Sequence, residues 1–131
     1  MSSAQPELRI LVVEDEEDIR EMLVATLAEE AEVEGAADGL EALERLSSGP
    51  APSVILLDMR MPRLSGEGVL QAIERLPVRP PVVTMSASAG RPPLGAAAHL
   101  GKPFTMGELL AVVRRVSLAG PGTGSEPVPT A

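Results

Sequence analysis

Apolar and polar positions along this chain follow two rhythms. Ile10-Leu11-Val12-Val13, Val54-Ile55-Leu56-Leu57 and Val82-Val83-Thr84-Met85 are short, nearly unbroken apolar runs rich in branched residues. Such runs read as strands buried on both faces. Between them the spacing turns helical. Ile19, Met22, Leu23, Thr26 and Leu27 share one face of a helix predicted from about Asp18 to Glu30. Leu40, Leu43 and Leu46 stripe a second helix, opened by the pair Asp38 and Glu41 and stopped at Ser47-Ser48-Gly49-Pro50. Val69, Leu70, Ile73 and Leu76 predict a third, closed by Pro77. Leu109, Val112, Val113 and Val116 predict the last, reaching about Val116 behind a capping box of Thr105 and Glu108. Two weaker segments complete the set. Glu32 to Ala36 suits an edge strand with charge on its outer face, and His99-Leu100-Gly101 suits a short final strand weakened by its glycine.

Strands alternating with helices imply an α/β fold, a doubly wound parallel sheet with right-handed crossovers. Five strands at this spacing suit the flavodoxin-like order 2-1-3-4-5. The first and third strands are then neighbours, and every strand ends at the same edge. The segment from Ala87 to Ala98 breaks the rhythm. It carries Gly90, Pro92, Pro93 and Gly95, so at most one or two helical turns fit near Leu94 to Ala98, and the fourth helix is expected to be short or absent. A mobile loop is expected there, with signalling through another face. Residues 1–7 are polar, and 118–131 are rich in Gly and Pro without apolar periodicity. Both are expected to be disordered, leaving a folded unit over 8–117.

Composition narrows the function. The chain has 131 residues, enough for one domain with a real core. Phe104 is the only aromatic, so that core is aliphatic. A formal net charge of −8 argues against nucleic-acid binding. The absence of cysteine excludes disulfides and thiolate metal sites. No apolar run approaches membrane-spanning length, and the first residues do not form a signal peptide, so a cytoplasmic location is the expectation.

The candidate chemistry lies at the strand ends. Glu14 and Asp15 follow the first strand, Asp58 the third, Ser86 ends the fourth and Lys102 follows the fifth. Each has a plain reading on its own: Asp58 as a cap or turn residue, the run Glu14 to Asp18 as a solvated helix start, Ser86 as a turn residue, Lys102 as a surface lysine. Together they differ. Carboxylates about 4 Å apart at a partly exposed site repel by roughly 4 kcal/mol, which a cation relieves. All-oxygen ligands point to Mg²⁺. A carboxylate beside such an ion can attack phosphorus, with Lys102 and the Ser86 hydroxyl binding phosphoryl oxygens. No Gly-rich phosphate loop follows the first strand, which argues against nucleotide binding.

In Ile10-Leu11-Val12-Val13-Glu14-Asp15-Glu16, Leu57-Asp58-Met59-Arg60-Met61-Pro62 with Gly66, Met85-Ser86-Ala87 and Lys102-Pro103-Phe104, taken in order, the chain resembles the receiver domain of bacterial two-component response regulators. The resemblance implies that Asp58 accepts a phosphoryl group from a histidine kinase or phosphotransfer protein. It implies that Asp15, Asp58 and the Arg60 backbone carbonyl ligate Mg²⁺, with Glu14 acting mostly through water, and that Ser86 and Lys102 bind the phosphoryl group. It also implies a cis Lys102–Pro103 bond. Ser86 and the residue matching the family's inward-turning aromatic, here His99, would form the switch. Histidine there makes pH sensitivity conceivable, although an exposed strand residue is the reading preferred for His99. The expectation is a single-domain receiver without a DNA-binding domain, controlling an unknown protein target, and not an enzyme in the turnover sense. Two alternatives stand beside it. One is a degenerate receiver acting as a phosphorylation-independent scaffold. The other is a haloacid-dehalogenase-like phosphotransferase, which needs an Asp-x-Asp that Asp58-Met59-Arg60 lacks.

Overall fold

The computed structural model describes residues 8–61, 64–87 and 92–118. Five strands and four helices follow one another as β1 (Arg9–Val13), α1 (Glu17–Leu27), β2 (Glu32–Ala36), α2 (Gly39–Ser47), β3 (Val54–Asp58), α3 (Gly66–Ile73), β4 (Val82–Ser86), β5 (Ala98–Gly101) and α4 (Met106–Leu118). The strands form one parallel sheet in the order β2-β1-β3-β4-β5, as the alternating pattern requires. Of the ends expected to be disordered, 1–7 and 119–131 lie outside the described residues, while Leu118 is helical and closes α4 beyond the expected stop near Val116.

Alternation along each strand divides the interior into two aliphatic cores. Ile10, Val12, Leu56, Val83, Met85 and Leu100 face α1 and α4 and close over Leu23, Leu27, Leu109 and Val113. Leu11, Val13, Ile55, Leu57 and Val82 face α2 and α3, over Ala42, Val69, Leu70 and Ile73. The β3 strand is buried along its whole length, Asp58 included. The β2 strand is the charged edge that its sequence implied.

Several helical expectations are corrected. The first helix stops at Leu27 and finishes in turns, and the third stops at Ile73, where Leu76 still reaches the core from a turn. Met22 and Leu40, both predicted to face inward, are half exposed. Ala42 and Gly39 take the buried positions of α2 instead, and a Cβ at Gly39 would stand 2.7 Å from Val69 Cγ2. Close approach of α2 to α3 thus displaces Leu40 from the face. Between β4 and β5 the described residues 92–97 hold no helical turn. A reverse turn there donates from Ala96 N–H to the Pro93 carbonyl, and the Ala97 N–H donates to Val82 at 2.7 Å. Gly95 adopts φ +95° at the point where this loop meets Glu74 and Leu70 of the α3 region. The expected mobility of 87–98 bears partly on residues 88–91, which lie outside the described residues. No helix among the described residues is long and apolar enough to cross a membrane.

Candidate functional site

Ladder contacts continue just past the strand ends and hold the residues that follow. Glu14 N–H donates to the Ala36 carbonyl at 3.1 Å, Met59 N–H to Met85 at 3.0 Å, and Lys102 N–H to Ser86 at 2.7 Å. Because β1 lies between β2 and β3, the residues leaving β1 and β3 meet. Carboxylate oxygens of Glu14, Asp15 and Asp58 all come within 4.8 Å of one another. Lys102 Nζ reaches in from the end of β5, 3.6 Å from Glu14 Oε1 and 3.7 Å from Asp58 Oδ1. Glu14 is 1% exposed and Asp58 4%, whereas Asp15 opens partly to solvent.

The electrostatics of this cluster are unbalanced. With all groups ionised, three carboxylates and one ammonium leave a charge of −2. Burial, and then the Asp58 carboxylate, push the Glu14 carboxyl up to about 7, against the opposing pull of the Glu16 amide and Lys102. Glu14 Oε2 accepts from Glu16 N–H at 3.3 Å. Its Oε1 is buried without a hydrogen-bond partner, and such an atom carries a desolvation cost. A hard divalent cation fits this donor set: the oxygens are close-set, one of them lacks a donor, and the charge of −2 would be cancelled. The arrangement is consistent with a Mg²⁺ site.

Of the remaining predicted residues, Arg60 donates its backbone N–H to Asp58 Oδ1 at 3.3 Å. Ser86 and His99 lie together, with Oγ 3.3 Å from Nε2. The reading of His99 as an exposed strand residue does not hold. Its ring is half buried, and its Nδ1 lies 2.7 Å from Thr84 Oγ1. The Lys102–Pro103 peptide bond is cis.

Two residues at the site escaped sequence reasoning. Arg20 Nη1 donates to the Glu14 carbonyl at 2.9 Å, and its stem lies where a Cβ on Gly35 would come within 3.1 Å. A lone base within an acidic stretch was the available signal. Thr84 is completely buried and hydrogen-bonded. Its place two residues before Ser86, on the same strand face, was the signal for it.

Comparison with known proteins agrees with this geometry. Residues 10–114 match the family described as Response regulator receiver domain. The transcriptional regulatory protein DltR of Streptococcus agalactiae is 35% identical over 82% of this chain and 50% of its own length. Response regulator MprA of Mycobacterium ulcerans is 38% identical over 82% of this chain and 49% of its own. The chain thus spans about half the length of these curated relatives. Among solved structures, response regulator protein TrrA of Thermotoga maritima, in complex with Mg²⁺-BeF, superposes with a TM-score of 0.73 at 34% identity, over 83% of this chain and 98% of that one. Chemotaxis response regulator CheY4 of Vibrio cholerae gives 0.76 at 29% identity, over 85% and 99%.

Proposed function

The chain belongs to the response regulator receiver domain family, and from that premise we propose that it is a phosphorylation-controlled signalling module whose phosphoacceptor is Asp58. One observation carries the reading: a buried Asp58 at the end of β3 shares a pocket with Glu14, Asp15 and Lys102.

In this reading an Asp58 carboxylate oxygen attacks the phosphorus of a phosphohistidine on a histidine kinase or phosphotransfer protein. A P–O bond forms, the P–N bond breaks, and the donor imidazole leaves with the nitrogen's electron pair. Asp15, Asp58 and the Arg60 carbonyl would hold Mg²⁺, with Glu14 acting through water. The ion would supply charge neutralisation for the carboxylates and the phosphoryl oxygens. Lys102, already between Glu14 and Asp58, moves its ammonium onto a phosphoryl oxygen, and the Ser86 hydroxyl donates to another. Ser86 and His99 then carry the change to a downstream protein. The folded module extends from Leu8 through the end of α4 at Leu118, works in the cytoplasm with its kinase, and assists only its own phosphorylation and dephosphorylation.

Intact mass after incubation with phosphoramidate tests the proposal. One phosphoryl adduct is expected with Mg²⁺, and none without it or in Asp58→Asn. An adduct that persists in Asp58→Asn would reject the assignment. No adduct and no Mg²⁺ binding would favour a phosphorylation-independent scaffold.

A further inference from the structure

Leu64 is the side chain that seats the end of the β3–α3 connection. Gly39, the first residue of α2, lies against its base: a Cβ on Gly39 would stand 2.9 Å from Leu64 Cβ and 2.9 Å from its carbonyl oxygen. Gly68, in the first turn of α3, lies against its tip, where a Cβ would stand only 2.5 Å from Leu64 Cδ1. Leu64 is half-buried and packs on the core under α2 and α3. Two helices thus each lack a Cβ at the point where one side chain enters, and a methyl group at either glycine would crowd it.

From this seat the contacts run to Asp58. Ser65 follows Leu64 and caps α3, its Oγ accepting from Gly68 N–H at 3.3 Å. Gly66 comes next. It donates its N–H to the Met59 carbonyl at 3.3 Å and lies so close that a Cβ would stand 2.8 Å from Met59 Cα. The Met59 carbonyl and the Arg60 N–H belong to one peptide unit, and that N–H donates to Asp58 Oδ1 at 3.3 Å. A peptide unit is planar and stiff. Turning its carbonyl away from Gly66 turns its N–H away from Asp58. The Met59 N–H is bonded to the Met85 carbonyl at 3.0 Å, so the sheet anchors one side of Met59 and Gly66 sets the other.

We propose that Leu64 is a positioning residue for the Asp58 carboxylate: seated between Gly39 and Gly68, it holds Gly66 on the Met59 carbonyl and so keeps the Arg60 N–H on Asp58 Oδ1. Leu64 has no reactive group of its own. It acts through one rigid peptide unit, and unseating it frees the carboxylate to turn from the direction in which it meets Mg²⁺ and phosphorus. This inference rests on the receiver reading of Asp58.

The test reads the Arg60 amide signal in ¹H–¹⁵N spectra of the whole chain, with the Mg²⁺ dissociation constant taken from titration of the same samples. An amide proton bonded to a carboxylate resonates downfield. Leu64→Ala is expected to move the Arg60 proton upfield and to weaken Mg²⁺ binding about tenfold, the scale found for groups that orient metal ligands. Leu64→Met refills the seat and is expected to return both readings toward the parent. Gly68→Ala separates the seat from stability, because alanine favours the helix while its methyl displaces Leu64 Cδ1. It is expected to weaken Mg²⁺ binding without lowering the urea midpoint. Val113→Ala, in the core under α1 and α4, is expected to lower the midpoint and leave the Arg60 signal and the Mg²⁺ affinity unchanged. A parent-like Arg60 signal and affinity in Leu64→Ala would overturn the proposal. So would a loss of affinity in Val113→Ala as large as that in Leu64→Ala, which would mark an effect of stability alone. A parent that forms no adduct with phosphoramidate would overturn the receiver reading, and the Arg60 signal would still support or reject Leu64 as the residue that orients Asp58.

Discussion

Glu14 shows how much one buried carboxylate decides. Its folded-state value of about 7 stands above the ordinary 4.5, so the folded protein binds more protons than the unfolded chain between those values. The stability this provides is complete below about 4.5 and is lost as pH rises through about 7. Metal-free protein is therefore expected to be less stable at pH 8 than at pH 5 by up to about 3 kcal/mol from this group. Urea denaturation at both pH values checks the sign, and Mg²⁺ should narrow the difference by replacing the proton. Arg20 acts on the same residue through its backbone. Arg20→Met keeps the stem beside Gly35 but removes the donor to the Glu14 carbonyl. A loss of Mg²⁺ affinity of about tenfold or more is expected, as for other residues that orient metal ligands. Calorimetric titration would measure it, and unchanged or tighter binding would reject the positioning role.

At the scale of elements, capping and close approach place the site. Asp38 Oδ1 accepts from Glu41 N–H at 2.9 Å while Glu41 Oε1 accepts from Ala37 N–H at 2.6 Å. Thr105 and Glu108 exchange bonds of 3.0 and 2.9 Å. Asp38→Ala should cost about 0.5–2 kcal/mol in chemical denaturation. Gly66 bears more directly on function. A Cβ there would stand 2.8 Å from Met59 Cα and 2.6 Å from its sulfur, so Gly66→Ala must push α3 away from the residue that follows Asp58. A loss of about 1–3 kcal/mol is expected, together with slower formation of the phosphoryl adduct. Wild-type stability in this variant would show that the turn relaxes freely.

For the molecule as a whole, the sheet separates two cores that share its strands. Leu23 lies in the core under α1 and α4, and Ile73 in the one under α2 and α3. Leu23→Ala and Ile73→Ala should each cost about 2–5 kcal/mol. In the double variant the costs should add to within about 0.5 kcal/mol, with unfolding still a single transition. Two separated transitions would mean that the sheet does not couple the cores. The β4–β5 side is built differently from the rest, since the described part of its connection is a loop seated near Leu70 and Glu74 rather than a helix. Thr84 nevertheless remains completely buried, which keeps its hydrogen bonds to His99 and Ala98 away from solvent.

The sequence by itself determined the strand runs, both capping boxes, the parallel sheet and the residues that would meet at its edge. Those features depend on local periodicity and on a small set of allowed crossovers, and both are written in neighbouring residues. Tertiary structure alone decided the rest. Whether Leu40 or Ala42 faces inward depended on how closely α2 approaches α3. The elevation of Glu14 depended on its burial beside Asp58, forty-four positions further along the chain. The bridge from Thr84 through His99 to Ser86 depended on the register between β4 and β5. Contacts between residues distant in sequence leave no periodic trace, so burial, charge coupling and hydrogen-bond direction emerge only when the chain has folded.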